Sequence, residues 1–277
     1  MKAEKILFIA QEINPYVPES DLTKMGRDLP IYALDQNREI RTFMPKWGNI
    51  NMRRNQLHEV IRLSGMNIVV DDTDHQLIIW VASIMGTRMQ VYFIDNEDFY
   101  AKRLAELDKE GHEYSDNIER AAFYARSVLE TVKKLRWTPD VIHCQGWISA
   151  FIPVYLKTAY ADEPCFRDCR VVFSPTANRL TLPTGKEDFA NILYYRTADA
   201  DCVKEFADPI TPDDFLKIGI KYADGITFSQ PVPSDEVVEY ARSINKPVLE
   251  TTDGQPAGYI DFFDRIWNEH HKENPED

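Results

Sequence analysis

Residues Lys5–Ala10 spell KILFIA, an unbroken apolar run too short for a helix and apolar at both alternating positions. A strand of that kind has to be covered on both faces, which happens where helices pack on each side of a parallel sheet. The chain supplies such helices. Ile118, Ala121, Ala122, Ala125, Leu129 and Val132 recur at i, i+3, i+4 spacing, so 117–135 is the clearest amphipathic helix. After the loop of Asn14, Pro15 and Pro18 a helical segment runs to about Asn37, and Ile40–Met44 reads as the next strand. Strands are then expected at Val141–His143, Val171–Ser174, Gly225–Ser229 and Pro247–Glu250. Helices are expected near Trp147–Tyr160, at Pro212–Tyr222, at Glu236–Ser243 and at Tyr259–His271.

Residues 57–94 have a different texture. His58–Leu63, Met66–Val70, Leu77–Ala82 and Met89–Ile94 are short segments between turn-rich pieces, which predicts an inserted antiparallel hairpin region. The expected architecture is a Rossmann-like, doubly wound α/β fold with a mostly parallel sheet, one domain over 1–277 that closes with a helix and tail at 257–277.

With 277 residues, 44% of them hydrophobic, the chain can bury a large core. Its 32 basic and 45 acidic side chains leave a formal net charge of -13, which repels phosphate backbones and anionic lipid heads. Neither nucleic acid nor a membrane is an expected partner, and no apolar run approaches the roughly 20 residues of a membrane span. The N-terminal Met-Lys-Ala-Glu-Lys has no secretory signal character, so the expected location is the cytoplasm. Cys165 and Cys169 are spaced for one helical turn but have no histidine near them in sequence, so no metal is expected. Glycine is scarce at 11 residues, and neither Gly-x-Gly-x-x-Gly nor a P-loop occurs, so no cofactor is expected.

Open parallel sheets bind ligands beyond the carboxyl ends of their strands. That rule selects five loops: Gln11–Pro15, Asp95-Asn96, His143–Trp147, Ser174–Thr176 and Ser229–Pro231. A rim indole at Trp147 can stack on a sugar while His143 donates a hydrogen bond. A histidine closing a buried strand equally well bonds a neighbouring backbone group. Cys144 faces away from His143, because adjacent strand residues point to opposite faces. Asp71, Asp72 and Asp74 read as a solvated turn rather than a cation site, and Arg53-Arg54 as an exposed loop.

Several segments, in order, resemble the bacterial glycogen synthases and plant starch synthases, retaining family-5 glucosyltransferases of the GT-B type that use ADP-glucose or a similar donor. They are Lys5–Ala10 with Glu12-x-x-Pro15, Leu29-Pro30, Met44-Pro45, Tyr114-Ser-Asp116-Asn117-x-x-Arg120, Trp137-x-Pro139-Asp140-Val-Ile-His143-x-x-x-Trp147, and Phe215-Leu-Lys217-x-Gly219-Ile220-x-x-Ala223-Asp224 with Ser229. The strand-end loops and the resemblance together give the expected substrate contacts as Glu12, Pro15, Asn96, His143, Gln145, Trp147 and Thr176.

It also exposes departures. Where the family carries Lys-x-Gly-Gly-Leu for the donor diphosphate, this chain has Pro18-Glu19-Ser20-Asp21-Leu22, which places two acids and two Cβ atoms in the way. In the family's His-x-His-Asp-Trp, Gln145 and Gly146 replace the second histidine and the aspartate; Ser174-Pro175-Thr176-Ala177 stands for Thr-Ile-His-Asn. The family's second domain supplies an arginine, a lysine and a Glu-x-Gly-x-x-Glu loop that are not found in this sequence. The expectation is no catalytic residue and no independent transferase activity, in an accessory binder of α-glucan. Alternatives are half of a split ADP-glucose or UDP-glucose α-1,4-glucosyltransferase, completed by a partner glycosyltransferase domain or a second copy, and an interaction module that binds no sugar.

Overall fold

The N-terminal apolar run forms a strand over Lys5–Ile9 in which Ile6, Leu7, Phe8 and Ile9 are at most 2% exposed. The computed structural model describes residues 2–250 and 254–273, with side chains to 269. The chain runs β1 (Lys5–Ile9), α1 (Asp21–Asp35), β2 (Glu39–Pro45), β3 (His58–Glu59), β4 (Asn67–Val70), β5 (Thr73–Gln76), β6 (Ile78–Ser83) and β7 (Gln90–Asp95). It continues with α2 (Asn117–Leu135), β8 (Val141–Gln145), α3 (Phe151–Lys157), β9 (Arg170–Ser174), α4 (Lys186–Leu193), α5 (Pro212–Tyr222), β10 (Gly225–Thr227), α6 (Asp235–Ser243), β11 (Val248–Leu249) and α7 (Pro256–Glu273).

One sheet has the order β11-β10-β9-β8-β1-β2-β7-β6-β3. It is parallel from β11 through β7 and turns antiparallel at β6 and β3. This is the Rossmann-like, mostly parallel α/β fold expected from the apolar runs. Strand order reverses direction at β1, whose neighbours are β2 and β8, and that reversal opens the crevice where such sheets bind ligands.

The inserted region goes beyond what alternation predicts in one respect and differs from it in another. The segment Met89–Ile94 falls on β7, which forms the expected antiparallel hairpin with β6 (Ile79↔Ile94, Trp80↔Phe93) and also joins the parallel sheet in register with β2 (Phe43↔Tyr92, Met44↔Phe93). The stretch after Asp71-Asp72 is β5, which pairs with β4 as a two-stranded ribbon, so Asp74 lies on a strand and only Asp71 and Asp72 make the turn. Asp71 takes φ 53°, a left-handed conformation that aspartate tolerates in a tight turn. Arg126 of α2 holds this ribbon by donating to the Val69 carbonyl.

Helices cover both faces. α2, α3 and α5 pack as neighbours on one side, while α1 and α7 pack on the other. α5 starts with a reciprocal cap in which Thr211 Oγ1 accepts from Asp214 N at 3.1 Å and Asp214 Oδ2 accepts from Thr211 N at 3.1 Å, with Pro212 at its first position. α7 runs over β1 and β8, setting the Phe263 ring 6.4 Å from Phe8 and 5.2 Å from His143. Asp264 fixes it, accepting from Ala3 N and from both terminal nitrogens of Arg38 at 2.8–2.9 Å. The tail after residue 273 lies outside the described residues. No helix among the described residues is long and apolar enough to cross a membrane.

Candidate functional site

The donor-loop bend is an internally satisfied helix start. Ser20 Oγ accepts from Thr23 N at 3.2 Å, and Thr23 Oγ1 accepts from Ser20 N at 2.8 Å and donates to the Pro18 carbonyl at 3.3 Å. A helix N-terminus attracts anions through its free N–H groups; here the cap takes one of them, and Asp21 adds a negative charge to the first turn. Glu19 pairs with Lys24 at 3.0 Å, and Arg27 donates to Asn14 Oδ1 and Asp28 Oδ1 at 2.7 Å. Both nearby cations are therefore engaged. Pro15 follows a cis peptide bond to Asn14 in the same loop. A cleft of about 440 Å³ lies alongside, lined by Asp21, Lys24, Met25 and Asp28 on α1 and by Phe228, Ser229 and Tyr259 opposite.

At the ends of β2 and β7, Lys46 Nζ lies 3.4 Å from Asp95 Oδ2, and both side chains are 7% exposed. Burial pushes the Asp95 carboxyl up, against the pull of Lys46 and of the Trp80 indole, which donates to it at 2.9 Å. Asn96 serves its own loop: its Nδ2 donates to the Gln76 carbonyl at 3.0 Å and its Oδ1 accepts from Asp98 N and Phe99 N. Its amide is committed to turn geometry.

The segment after Asn96 is locked by the motif at the start of α2. Arg120 is 0% exposed and donates to the carbonyls of Phe99, Leu104 and Ala105 and to Asn117 Oδ1. Asn117 Nδ2 reaches the Glu106 carbonyl at 3.1 Å, Asp116 pairs with Arg103, and Tyr114 lies under both the Arg103 and Arg120 guanidinium groups. The Tyr114–Arg120 motif thus acts structurally, by fixing the backbone that carries Glu106.

His143, on β8, and Trp147, in the single helical turn that follows, are both buried. His143 is 4% exposed, faces Ser174 Oγ across 2.7 Å, and is enclosed by Phe8, Tyr259 and Phe263; burial lowers its pKa to about 3, so the ring is neutral. The segment of Trp147 packs against α2, and its indole is 0% exposed with Nε1 unpartnered among the described residues, so it is buried and not on the exposed rim where its motif position alone would put it. The physical reason is local: Gly146 at φ 80° turns the chain under α2 before the indole is reached. The thiol of Cys144, on the opposite face from His143, is pushed well up by burial and is no nucleophile.

Gln145 donates to the Leu22 carbonyl at 3.4 Å while its Oε1 is buried without a partner. Gly146 is required by a close approach as well as by its φ, since a Cβ there would run into Gln11 Oε1. Where the resembling family has serine before the glutamate and aspartate before the tryptophan, this chain has Gln11 and Gly146. The volume removed at one position is filled from the other.

Thr176 is 0% exposed with an unpartnered Oγ1, and three residues on, Arg179 Nε donates to Glu106 Oε2 at 3.0 Å. Glu12 lies in their field. Burial, helped by the Glu106 charge and opposed by Arg179, pushes its carboxyl up to about 7. The fold therefore pairs Glu106 with Arg179, from the loops after β7 and β9, within electrostatic reach of Glu12 after β1, and separately joins His143 to Ser174. Asn96 is held in its own turn, and Trp147 is buried with its indole N–H unpartnered among the described residues. Glu106 and Arg179 are invisible to sequence reasoning because neither lies at a strand end or in a motif. Among the described residues no group of three or more His, Cys, Asp or Glu side chains is arranged to hold a metal ion.

Comparison with known proteins agrees with this framework. The model of the starch synthase catalytic domain matches residues 5–246. The glycogen synthase of Pelodictyon phaeoclathratiforme is 30% identical over 238 residues, which are 84% of this chain and 47% of that protein. The glycogen synthase of Chlorobium luteolum is 28% identical over 272 residues, 95% of this chain and 54% of that protein. The chain thus spans about half the length of these curated relatives. Among solved structures, the catalytic domain of starch synthase IV from Arabidopsis thaliana, bound to ADP and acarbose, superposes with a TM-score of 0.64 at 16% identity, covering 82% of this chain and 45% of that one. Family match, curated relatives and shared fold converge: the chain belongs to the starch synthase catalytic domain family.

Proposed function

We propose that the protein acts in α-glucan metabolism as a glucan-binding or accessory member of its family that no longer handles a nucleotide sugar at the Pro18–Asp21 bend. The observation that carries this reading is the reciprocal cap between Ser20 and Thr23, flanked by the Glu19–Lys24 pair. An incoming diphosphate would have to displace a hydrogen-bonded side chain and approach Glu19 and Asp21, with no lysine at position 18 to offset their charge. The residues that would face glucan are Glu12, Pro15 and the groups around Gln145 and Thr176. His143 and Trp147 act by shaping the ground beneath them.

The test pairs two measurements on the purified chain. Co-sedimentation with glycogen should retain the protein, while titration with ADP-glucose should leave its thermal unfolding unchanged and glucose transfer to a glycogen primer should be absent. Transfer by the chain alone, or saturable ADP-glucose binding lost on Ser20→Ala and Asp21→Asn substitution, would refute the reading.

A second reading has its own support. Because the chain matches about 47% of the length of its relative from Pelodictyon phaeoclathratiforme, a separate glycosyltransferase domain or a second copy can complete an ADP-glucose or UDP-glucose transferase. Glucose transfer that appears only on adding such a partner would select it.

A further inference from the structure

The nine-stranded sheet ends at β3, and that edge is incomplete. β3 pairs with β6 only at His58↔Val81 and Glu59↔Trp80. Ile79 shows how the backbone of β6 is turned: its N–H donates to Ser64 Oγ at 3.0 Å and its carbonyl accepts from Val60 N at 2.8 Å, both on the β3 side. Peptide groups alternate in direction along an antiparallel strand, so those of Val81 and Ser83 are turned the same way. Val81 has His58 opposite it; Ser83 is exposed and lies past the start of β3, with no strand residue opposite it on that side. A groove of about 420 Å³ opens there, lined by residues that include Asn55, Gln56, His58, Ser83 and Met85.

Its chemistry is unlike that of the chain as a whole. Met85 is 92% exposed, the most exposed large apolar side chain among the described residues. In a chain of formal net charge -13, the segments 53–58 and 81–90 carry three arginines, Arg53, Arg54 and Arg88, and no carboxylate. The side chains of Arg53 and Arg54 are exposed and engaged by no ion pair or hydrogen bond among the described residues, whereas Arg103, Arg196 and Arg242 are paired with carboxylates. A short strand and edge charges ordinarily shield an open sheet edge. Shielding alone explains neither an exposed methionine nor a groove beside it.

We propose that the β3–β6 edge docks an extended acidic and apolar segment of a partner protein, which takes the place beside Ser83 that β3 leaves open. The guest backbone pairs with the Ser83 peptide groups, an apolar side chain rests on Met85, and guest carboxylates meet Arg53 and Arg54. A peptide is the class that uses all three features. A neutral glucan leaves the arginines unused, and a nucleic acid is repelled by the net charge. This surface is independent of the glucan-binding reading.

The experiment is fluorescence anisotropy on the full chain at 0.15 M salt, where screening confines charge effects to about 8 Å and the guest feels the local arginines more than the net charge. The probe is a labelled eight-residue peptide alternating glutamate and valine. Its controls are the alternating lysine and valine peptide, and the acidic peptide with its amides N-methylated. The acidic peptide should bind saturably and neither control should. Arg53→Glu together with Arg54→Glu should weaken binding about tenfold, as two exposed attractions become repulsions. Met85→Ser should weaken it several-fold through lost apolar contact. Circular dichroism should be unchanged in both variants, because these side chains are exposed. Failure of the acidic peptide to bind, or binding that these variants or N-methylation leave unaltered, overturns the proposal. Displacement of the peptide by glycogen would assign the edge to glucan, and self-association in sedimentation velocity that Met85→Ser abolishes would assign it to a second copy of the chain; either result also overturns it.

Discussion

Ser20 and Thr23 satisfy each other at the head of α1: the Ser20 hydroxyl accepts from the Thr23 amide at 3.2 Å, and the Thr23 hydroxyl accepts from the Ser20 amide at 2.8 Å. Ser20→Ala should therefore lower stability by about 1 kcal/mol, the usual worth of such a cap. The triple change Pro18→Lys, Ser20→Gly and Asp21→Gly removes the cap and one acid while restoring a cation and close backbone approach. ADP binding by calorimetry should be absent in the wild type and measurable in the triple variant; equal behaviour of the two would show that this bend does not decide nucleotide binding.

Gly146 and Gln11 compete for one volume. Gly146→Asp should destabilise the chain by about 2–4 kcal/mol, through the crowding that overpacked sites show and the strain of a side chain at φ 80°. Adding Gln11→Ser should recover part of that loss, because the steric share depends on the Gln11 side chain. Urea denaturation of the two single variants and the double variant measures the coupling; strict additivity would mean that the two positions do not share space.

Glu12 should make the folded state less stable as pH rises. Its folded pKa of about 7 exceeds the ordinary value of 4.5, so the folded chain holds the extra proton between those values and stability declines as pH climbs from 4.5 through 7. The full effect is on the order of 3 kcal/mol at pH 8, from the worth of each pKa unit. Glu12→Gln should match the wild type near pH 5 and exceed it at pH 8 in urea midpoint. His143 acts in the opposite sense: with its pKa lowered from 6.5 to about 3, it favours folding above 6.5 and that contribution is lost as pH falls toward 3.

Arg38 and Asp264 join the first α/β unit to α7, with Arg38 only 4% exposed. Asp264→Ala leaves that guanidinium buried and unpaired, which should cost about 3–5 kcal/mol. The double change Arg38→Met with Asp264→Leu should be much milder, because no orphaned charge remains. Thermal unfolding compares them; equal losses would place the role of the pair in packing alone.

Much of this fold is legible in the sequence because its signals are local. The continuous apolar run at Lys5–Ala10 announces a doubly covered strand, the spacing from Ile118 to Val132 matches α2 at both ends, and Pro212 marks the start of α5. The pattern reveals the β6–β7 hairpin but not the parallel pairing of β7 with β2, because β2 lies far off in sequence and alternation alone names no distant partner. The Trp147 indole looks like a rim group in the sequence because its motif position is visible there and its layer is not.

The parallel sheet, the family to which the chain belongs and the absence of the Lys-x-Gly-Gly donor bend could all be read from residue type and spacing along the chain. The packing of the whole chain is what brings Arg179 to Glu106, sets Gln11 in the space opposite Gly146 and closes α7 over His143. Glu106 and Arg179 stand 73 positions apart, and Arg38 and Asp264 stand 226 apart. No periodicity reaches across such distances; only the packing of strands and loops brings those charges together, and burial then gives them their chemistry.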